Sequence, residues 1–173
     1  MAKIAKQVKE QELNFDGFSQ VMNNTVGWLQ LFNEMQNRNF PVLKKYSDSI
    51  RVRNSDIEDM NTSLNELFQG GFALIKNNPL LVQHLGLEEV YKYVLYSEKE
   101  IDELLSKPDE EITAFYEKCP KGMKEVLIKM VKIKIERNDP IVDSSHKIEF
   151  LQKLFNVKYS DYWKENPENL KKR

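Results

Sequence analysis

The sequence contains a single cysteine, Cys119, among its 173 residues. Because one thiol cannot close an internal disulfide, the chain is not a disulfide-stapled domain. A chain of this length can bury an adequate core without such bonds, as one domain or as one domain with an appendage. A reducing interior is therefore the expected setting.

Long apolar runs are also missing. No stretch approaches the roughly 18 consecutive apolar residues that suggest a membrane-spanning helix. The N-terminal residues 1–10 are charged throughout and lack the apolar segment of a signal peptide. The sequence therefore predicts neither a membrane span nor a secretory leader.

A charge excess of either sign is absent as well. The chain has 26 Lys and Arg against 27 Asp and Glu, a formal net charge of −1, and only five of the basic residues are Arg. Nucleic-acid-binding proteins usually combine a basic excess with stacking aromatic residues. The composition therefore argues against nucleic acid, and against an anionic membrane surface, as a partner. Abundant Lys and Asn with few Ala favour an AT-rich genome, bacterial or viral.

The chain does contain apolar residues at helical spacing almost throughout. The most complete stripe predicts one long helix from about Gly17 to Asn37, which Pro41 would end because proline disfavours the helical conformation in the residue before it. The stripe consists of Phe18, Val21, Met22, Thr25, Trp28, Leu29, Phe32 and Met35.

Shorter helices are predicted for the rest of the chain. A capping box, Ser55 with Glu58, would begin the second helix, and Gly70 with Gly71 would end it. Only residues 49–53 alternate as a strand does. The predicted fold class is all-α, an irregular bundle of six to eight helices with one long N-terminal helix, several short C-terminal ones, and at most one short strand near residues 49–53.

Four segments follow from this pattern. Residues 1–14 form a flexible or partner-dependent arm, and residues 15–48 form the long helix and its connection. Residues 49–157 form a compact helical domain. Residues 158–173 form a polar tail whose anchors are Tyr159, Tyr162 and Trp163.

No group of residues has the spacing that catalysis or metal binding needs. His84 and His146 stand 62 positions apart without a second ligand nearby. Cys119 precedes a helix start, where a thiol pKa can fall and a histidine could pair with it, but a small buried apolar residue is the preferred interpretation. Gly70-Gly71 lacks the following Lys-Ser/Thr of a phosphate loop and is better explained as a helix stop. The chain is therefore predicted not to be an enzyme, with no catalytic, cofactor-binding or metal-binding residue.

The remaining indication of function is a wide apolar face that could contact another protein. Val26 and Leu31 lie off the main stripe and make the apolar face of the predicted long helix wider than one neighbouring element requires. Wide faces of this kind can mark a subunit or partner interface. The predicted interface residues are Phe18, Met22, Val26, Trp28, Leu31, Phe32 and Met35.

From about residue 50 to residue 158, the chain resembles a set of small uncharacterised helical proteins of tailed bacteriophages, found among virion gene clusters. The resemblance rests on ELFQGGFALIKN at 66–77, YKY at 91–93, SEKEIDELL at 97–105, CPKG at 119–122, Asn138-Asp139 and Lys147-Ile148. Cys119 stands where that set tends to have Ala. The resemblance implies a phage origin and a role in the virion or its assembly, and it transfers no functional residue.

Two hypotheses of function follow. The first is a non-enzymatic phage protein, in the virion or in the cytoplasm of the infected bacterium, that contacts other phage structural proteins or a second copy of itself. The second is a regulator or inhibitor of a host factor, acting in one version through nucleic acid. Lysines on the helix predicted at 120–137 and the basic end at 171–173 motivate the second hypothesis.

Overall fold

The computed structural model describes residues 13–159. Within that range it contains five strands, eight α-helices and one short 3₁₀ helix. In chain order they are β1 (Phe18–Asn23), β2 (Phe32–Asn33), β3 (Arg38–Asn39), β4 (Ser49–Arg53), α1 (Asn54–Ser63), α2 (Asn65–Gln69), β5 (Ala73–Lys76), α3 (Pro79–His84), α4 (Glu88–Tyr91), α5 (Glu98–Leu105), α6 (Asp109–Lys118), α7 (Lys121–Glu136), the 3₁₀ helix (Pro140–Val142) and α8 (Ser145–Phe155).

The prediction of an all-α fold is wrong, because the N-terminal part of the chain builds a sheet. Strand β1 lies at the centre and pairs antiparallel with β4 on one side and β5 on the other. Strands β2 and β3 form a separate two-stranded ladder. The strand predicted at 49–53 is present as β4, and its partner is the segment that was predicted to be the long helix.

Burial on both faces explains why β1 resembles a helix in the sequence. Val21 faces a core formed with Val52, Ile57 and residues of α1–α3. Met22, the next residue, is buried on the opposite face. Because Val21 and Met22 are buried on opposite faces, β1 lacks the strict alternation of a strand that is covered on one side, and its apolar positions are compatible with helical spacing.

A buried asparagine ends β1 and turns the chain. The side-chain amide of Asn23 donates hydrogen bonds to the carbonyls of Gly27 (2.8 Å), Leu43 (3.3 Å) and Lys45 (3.0 Å). Its Oδ1 accepts from the Thr25 backbone N–H at 2.8 Å. Asparagine competes in this way with regular backbone pairing, and here the bonds replace the middle of the predicted long helix with a turn.

Helix α1 does not use the predicted capping box. It begins at Asn54, and no side chain caps it. Instead, the backbone N–H groups of Asn54 and Ser55 donate to the carbonyls of Gly17 (2.9 Å) and Phe15 (3.1 Å). The chain that leads into β1 therefore supplies acceptors that helix-starting N–H groups require.

The C-terminal half follows its sequence signals closely. Ser97 and Ser144 cap α5 and α8 through their hydroxyl oxygens. Helices α5 to α8 surround one core, to which α7 contributes Met123, Val126 and Leu127. Amphipathic helices with caps are well predicted because each signal is local.

The predicted N-terminal arm falls mostly on residues 1–12, and most of the predicted tail falls on residues 160–173; both ranges lie outside the described residues, as do Tyr162 and Trp163. Tyr159 is buried, and its hydroxyl donates to the Ile128 carbonyl at 2.9 Å. The β1–β4 pairing crosses the predicted segment boundary between residues 48 and 49.

The two halves meet at a close backbone contact, which we name the glycine junction (Asn24, Gly70, Gly71 and Gly122). The N–H of Gly122, in the first turn of α7, donates to the Gly70 carbonyl at 2.7 Å. The Asn24 side-chain amide donates to the Gly71 carbonyl at 2.6 Å. Gly71 has a left-handed φ of 71°, which confirms the predicted helix stop at Gly70-Gly71. The same two residues also contact the first turn of α7.

The glycine junction should not accept a methyl group. A Cβ on Gly122 would lie less than 3.0 Å from the Gly71 backbone. Gly to Ala within a helix normally stabilises by about 1 kcal/mol, but this clash should make Gly122→Ala destabilising by at least about 2 kcal/mol. Urea unfolding monitored by circular dichroism measures the difference. Lys129→Ala, at an exposed site on the same helix, is the control and should change stability by less than about 0.5 kcal/mol.

A buried lysine joins α5, α7 and the 3₁₀ helix. The Lys134 ammonium lies 2.6 Å from Asp102 Oδ1 and 3.0 Å from Asp139 Oδ2. Burial alone would lower the pKa of Lys134, but hydrogen bonds to the two carboxylates outweigh it and raise the pKa. The backbone N–H of Ile141 and the Lys134 ammonium hold the pKa of Asp139 below its usual value.

This arrangement makes the stability of the fold depend on pH. Because the pKa of Asp139 is lower in the folded than in the unfolded chain, its ionised form stabilises the fold above pH 4 and loses that effect as the pH falls through the folded-state value. Asp139→Asn should cost about 1 kcal/mol at pH 7, and the difference from wild type should shrink toward pH 2. Denaturant unfolding across this range tests it. A difference that is independent of pH, or equally large in the control Asp143→Asn, would contradict the assignment.

Candidate functional site

The exposed large apolar side chains of the described residues all belong to one stretch of the chain, residues 15–42. Among the described residues, the large hydrophobic side chains that remain exposed are Phe15, Phe18, Trp28, Met35 and Val42. Trp28 is 79% exposed and Met35 is 57% exposed. Exposed apolar residues that cluster, unlike scattered ones, indicate an interaction surface.

Three of these residues lie on a β-hairpin (residues 27–43, called the hairpin below). Leu29 and Leu43 exchange both backbone hydrogen bonds, at 2.8 and 2.9 Å, and close its base. Strands β2 and β3 pair farther out. At the tip, Asn37 adopts a left-handed φ of 46°, and Asn33 Oδ1 accepts a hydrogen bond from the Gln36 N–H. These local bonds define the shape of the loop that carries Met35.

Polar and apolar contacts dock one face of the hairpin on α1. Leu31 and Asn33 are fully buried there. The Asn33 amide donates to Asp56 Oδ1 (2.8 Å) and Asp59 Oδ2 (3.1 Å). Arg38 forms a 2.6 Å ion pair with the other oxygen of the buried Asp56. The hairpin is therefore anchored by charge-assisted hydrogen bonds, which are stronger than neutral ones.

The opposite face of the hairpin is directed outward. Because Leu29 pairs with Leu43, the alternation of a strand places Trp28, Gln30, Val42 and Lys44 on the other side. All four are exposed. We call these four residues, together with Met35 at the tip, the outer face.

The predicted interface residues are distributed over three environments. Trp28 and Met35 belong to the outer face, and Phe18 is exposed on the sheet. Val26 and Phe32 are half-buried. Met22 and Leu31 are buried core residues. The predicted set therefore includes three of the five exposed large apolar residues but neither Phe15 nor Val42, and it does not form the single helix face that was expected.

An apolar groove lies at the base of the hairpin. It has a volume of about 530 Å³, and Leu29, Leu64, Leu67 and Phe72 line it. The Lys121 ammonium lies 5.8 Å from the centre of the Phe72 ring. Glu66 is the one titratable residue among the described residues that line the groove. Because acid–base catalysis usually needs more than one such group, the groove is better suited to bind an apolar side chain than to catalyse a reaction.

The residues considered for catalysis are not brought together. Cys119 is buried, as predicted, and its thiol donates to the Tyr116 carbonyl at 3.4 Å. Burial raises the pKa of Cys119 to about 12, so the thiol stays protonated at neutral pH. His84 is exposed and contacts Glu58 at 2.8 Å, and His146 is exposed on α8.

The described residues contain neither a metal-binding cluster nor a membrane-spanning helix. No group of three or more His, Cys, Asp and Glu side chains there could hold a metal ion. No helix in residues 13–159 has the length and the apolar character needed to cross a membrane.

Sequence reasoning missed a second surface, on the sheet. Arg51 and Arg53 of β4 flank the exposed Phe18 of β1. The polar–apolar alternation of residues 49–53 predicted the strand that carries both arginines. Nothing local could predict that Phe18 would be their partner, because that contact depends on the pairing of two strands that are distant in sequence.

Comparison of the chain with protein-family models, with curated proteins and with solved structures finds no match. The resemblance to phage proteins accordingly stays a prediction made from the residues. Two of the motifs that carry it, at 66–77 and 119–122, meet in the structure at the glycine junction.

The docking of the hairpin can be weakened selectively. Asp56→Asn keeps the side-chain shape but removes the charge that holds Arg38 and Asn33. We expect stability to fall by about 2 kcal/mol and hairpin amides to exchange faster than those of α7. Hydrogen exchange read at the N–H groups of Leu29, Phe40 and Leu43 measures this effect. Equal acceleration in α7 would show global unfolding instead, and Glu34→Gln at the exposed tip is the control.

Proposed function

We propose that this chain is a non-enzymatic protein that makes protein–protein contacts through the outer face of the hairpin. The observation that carries the proposal is Trp28, which is 79% exposed on an element whose other face is firmly docked. Tryptophan is enriched among the few residues that dominate binding energy at protein interfaces. Leaving such a side chain in water has no benefit for the fold itself.

The construction of the hairpin supports the proposal. Because the Asp56 interactions hold Asn33 and Arg38, the hairpin is organised before any partner arrives. A preorganised surface loses less conformational entropy on binding. Met35 adds a flexible apolar side chain that adapts to irregular surfaces.

The partner that fits this surface is a protein with an apolar recess for the Trp28 ring. Lys44 lies on the same face, so an acidic rim around that recess would complement it. A second copy of the chain or another structural protein of the virion are the partners that the phage resemblance motivates. That resemblance also motivates the assembly of the virion as the setting.

Light scattering over a concentration series, alone and with purified phage head and tail proteins, tests the proposal. We expect the wild-type chain to form a larger species in at least one of these mixtures. Trp28→Ser combined with Met35→Ser should weaken that association at least tenfold, about 1.4 kcal/mol. Both residues are exposed, so the double variant should keep the wild-type unfolding midpoint.

Lys129→Ser, at an exposed site of α7, is the control and should reduce association by less than threefold. A wild-type chain that stays monomeric and binds none of these proteins would overturn the proposal. An association that the double variant leaves unchanged would also overturn it, because the contact would then lie elsewhere.

A further inference from the structure

One part of the three-stranded sheet is open and combines aromatic rings with cations. Residues that are paired across antiparallel strands share a face. Phe18 is paired with Arg53, and Gln20 is paired with both Arg51 and Lys76. We call these five residues, with the neighbouring Tyr96, the open sheet face.

The cations of this face lie against its rings. The guanidinium carbons of Arg51 and Arg53 are 5.3 and 5.9 Å from the centre of the Phe18 ring. The Lys76 ammonium is 5.8 Å from the centre of the Tyr96 ring. Phe18 nevertheless remains 53% exposed, so the arginines orient the ring without covering it.

The charge of the face is positive and uncompensated. Strands β1, β4 and β5 contain Arg51, Arg53 and Lys76 but no Asp or Glu. Among the described residues, no carboxylate forms an ion pair with any of these three cations. Glu100, beside Tyr96, accepts a hydrogen bond from the Tyr96 backbone N–H.

The open sheet face ends where the sheet becomes covered by the chain around Val94. Toward the other end of β1, Met22 and Leu74 are covered by Val94, with Tyr91 and Tyr96 packed against them. Because Arg51 and Lys76 both lie opposite Gln20 on the two flanking strands, their backbones are about 10 Å apart. The open area therefore suits an extended chain segment with repeating negative charge.

We infer that the open sheet face binds single-stranded nucleic acid. Sheets that bind single strands stack bases on exposed aromatic rings and hold phosphates with neighbouring cations. The exposed Phe18 ring would supply the stacking surface, and Arg51, Arg53 and Lys76 would contact phosphates. A duplex keeps its bases stacked on each other, so it cannot offer their faces to Phe18. The near-zero net charge of the whole chain argued against nucleic acid as a partner. It does not reveal the local excess of positive charge, because Arg51, Arg53 and Lys76 come together only when β4 and β5 pair with β1.

Fluorescence anisotropy of a labelled twelve-nucleotide oligothymidine tests this inference with the full chain, at 50 and 200 mM NaCl. We expect saturable binding whose salt dependence has a slope near −2, about −0.7 for each of three cations. Arg51→Gln combined with Arg53→Gln should weaken binding at least tenfold and reduce the slope to about −0.7. Phe18→Ala should weaken binding about tenfold with the slope unchanged, because the ring stacks and carries no charge.

The control removes two positive charges elsewhere. Lys129→Gln combined with Lys153→Gln, at exposed sites of α7 and α8, should change affinity by less than threefold. Trp28→Ser with Met35→Ser should also leave oligonucleotide binding unchanged, which separates this inference from the hairpin proposal. Absence of binding at 50 mM NaCl would overturn it. Equal binding of a duplex or of polyglutamate, or equal losses in the control, would overturn it as well.

Discussion

The architecture depends on one close approach between backbones, the glycine junction. Three segments converge there: the end of β1 through Asn24, the α2–β5 connection through Gly70 and Gly71, and the first turn of α7 through Gly122. The contact requires glycine at 122 because the Gly71 backbone occupies the space of a Cβ. It thereby ties the sheet, with its core on α1–α3, to the bundle of α5–α8.

The candidate surfaces follow from the same arrangement. Asn24 holds the end of β1 at the glycine junction, and Asn23, its neighbour, directs the chain into the hairpin. The hairpin then docks on α1 through Asp56, which leaves the outer face in solvent. The other end of β1 carries Phe18 beside the arginines of β4. One short strand therefore connects two surfaces of different chemistry: the apolar outer face, which we propose as a protein contact, and the cationic, aromatic open sheet face, which we propose as a site for single strands.

What the sequence could predict was local. Gly70-Gly71 was identified as a helix stop, residues 49–53 as a strand, and Cys119 as a buried residue, because each signal spans a few residues. The long helix predicted from the apolar stripe between Phe18 and Met35 was wrong, because a helix and a strand that is buried on both faces can show the same spacing of apolar residues. Val21 and Met22 are both buried when a strand is covered on both faces, and only the pairing with β4 and β5 distinguishes that strand from a helix. The meeting of Phe18 with Arg51 depends on the same pairing, and the exposure of Trp28 depends on the pairing of Leu29 with Leu43. The sequence alone therefore suggested Trp28 and Phe18 as contact residues without their arrangement.

The accessibility of Trp28, alone and in complex, tests the central claim most directly. Trp28 and Trp163 are the two tryptophans of the chain, so a Trp163→Phe variant reports on Trp28 alone. Iodide should quench its fluorescence almost as it quenches free tryptophan in dilute solution, and the quenching should fall sharply when a second copy or a virion protein binds. A Trp28 that is shielded in the isolated chain, or one that stays equally accessible in the complex, would contradict the account.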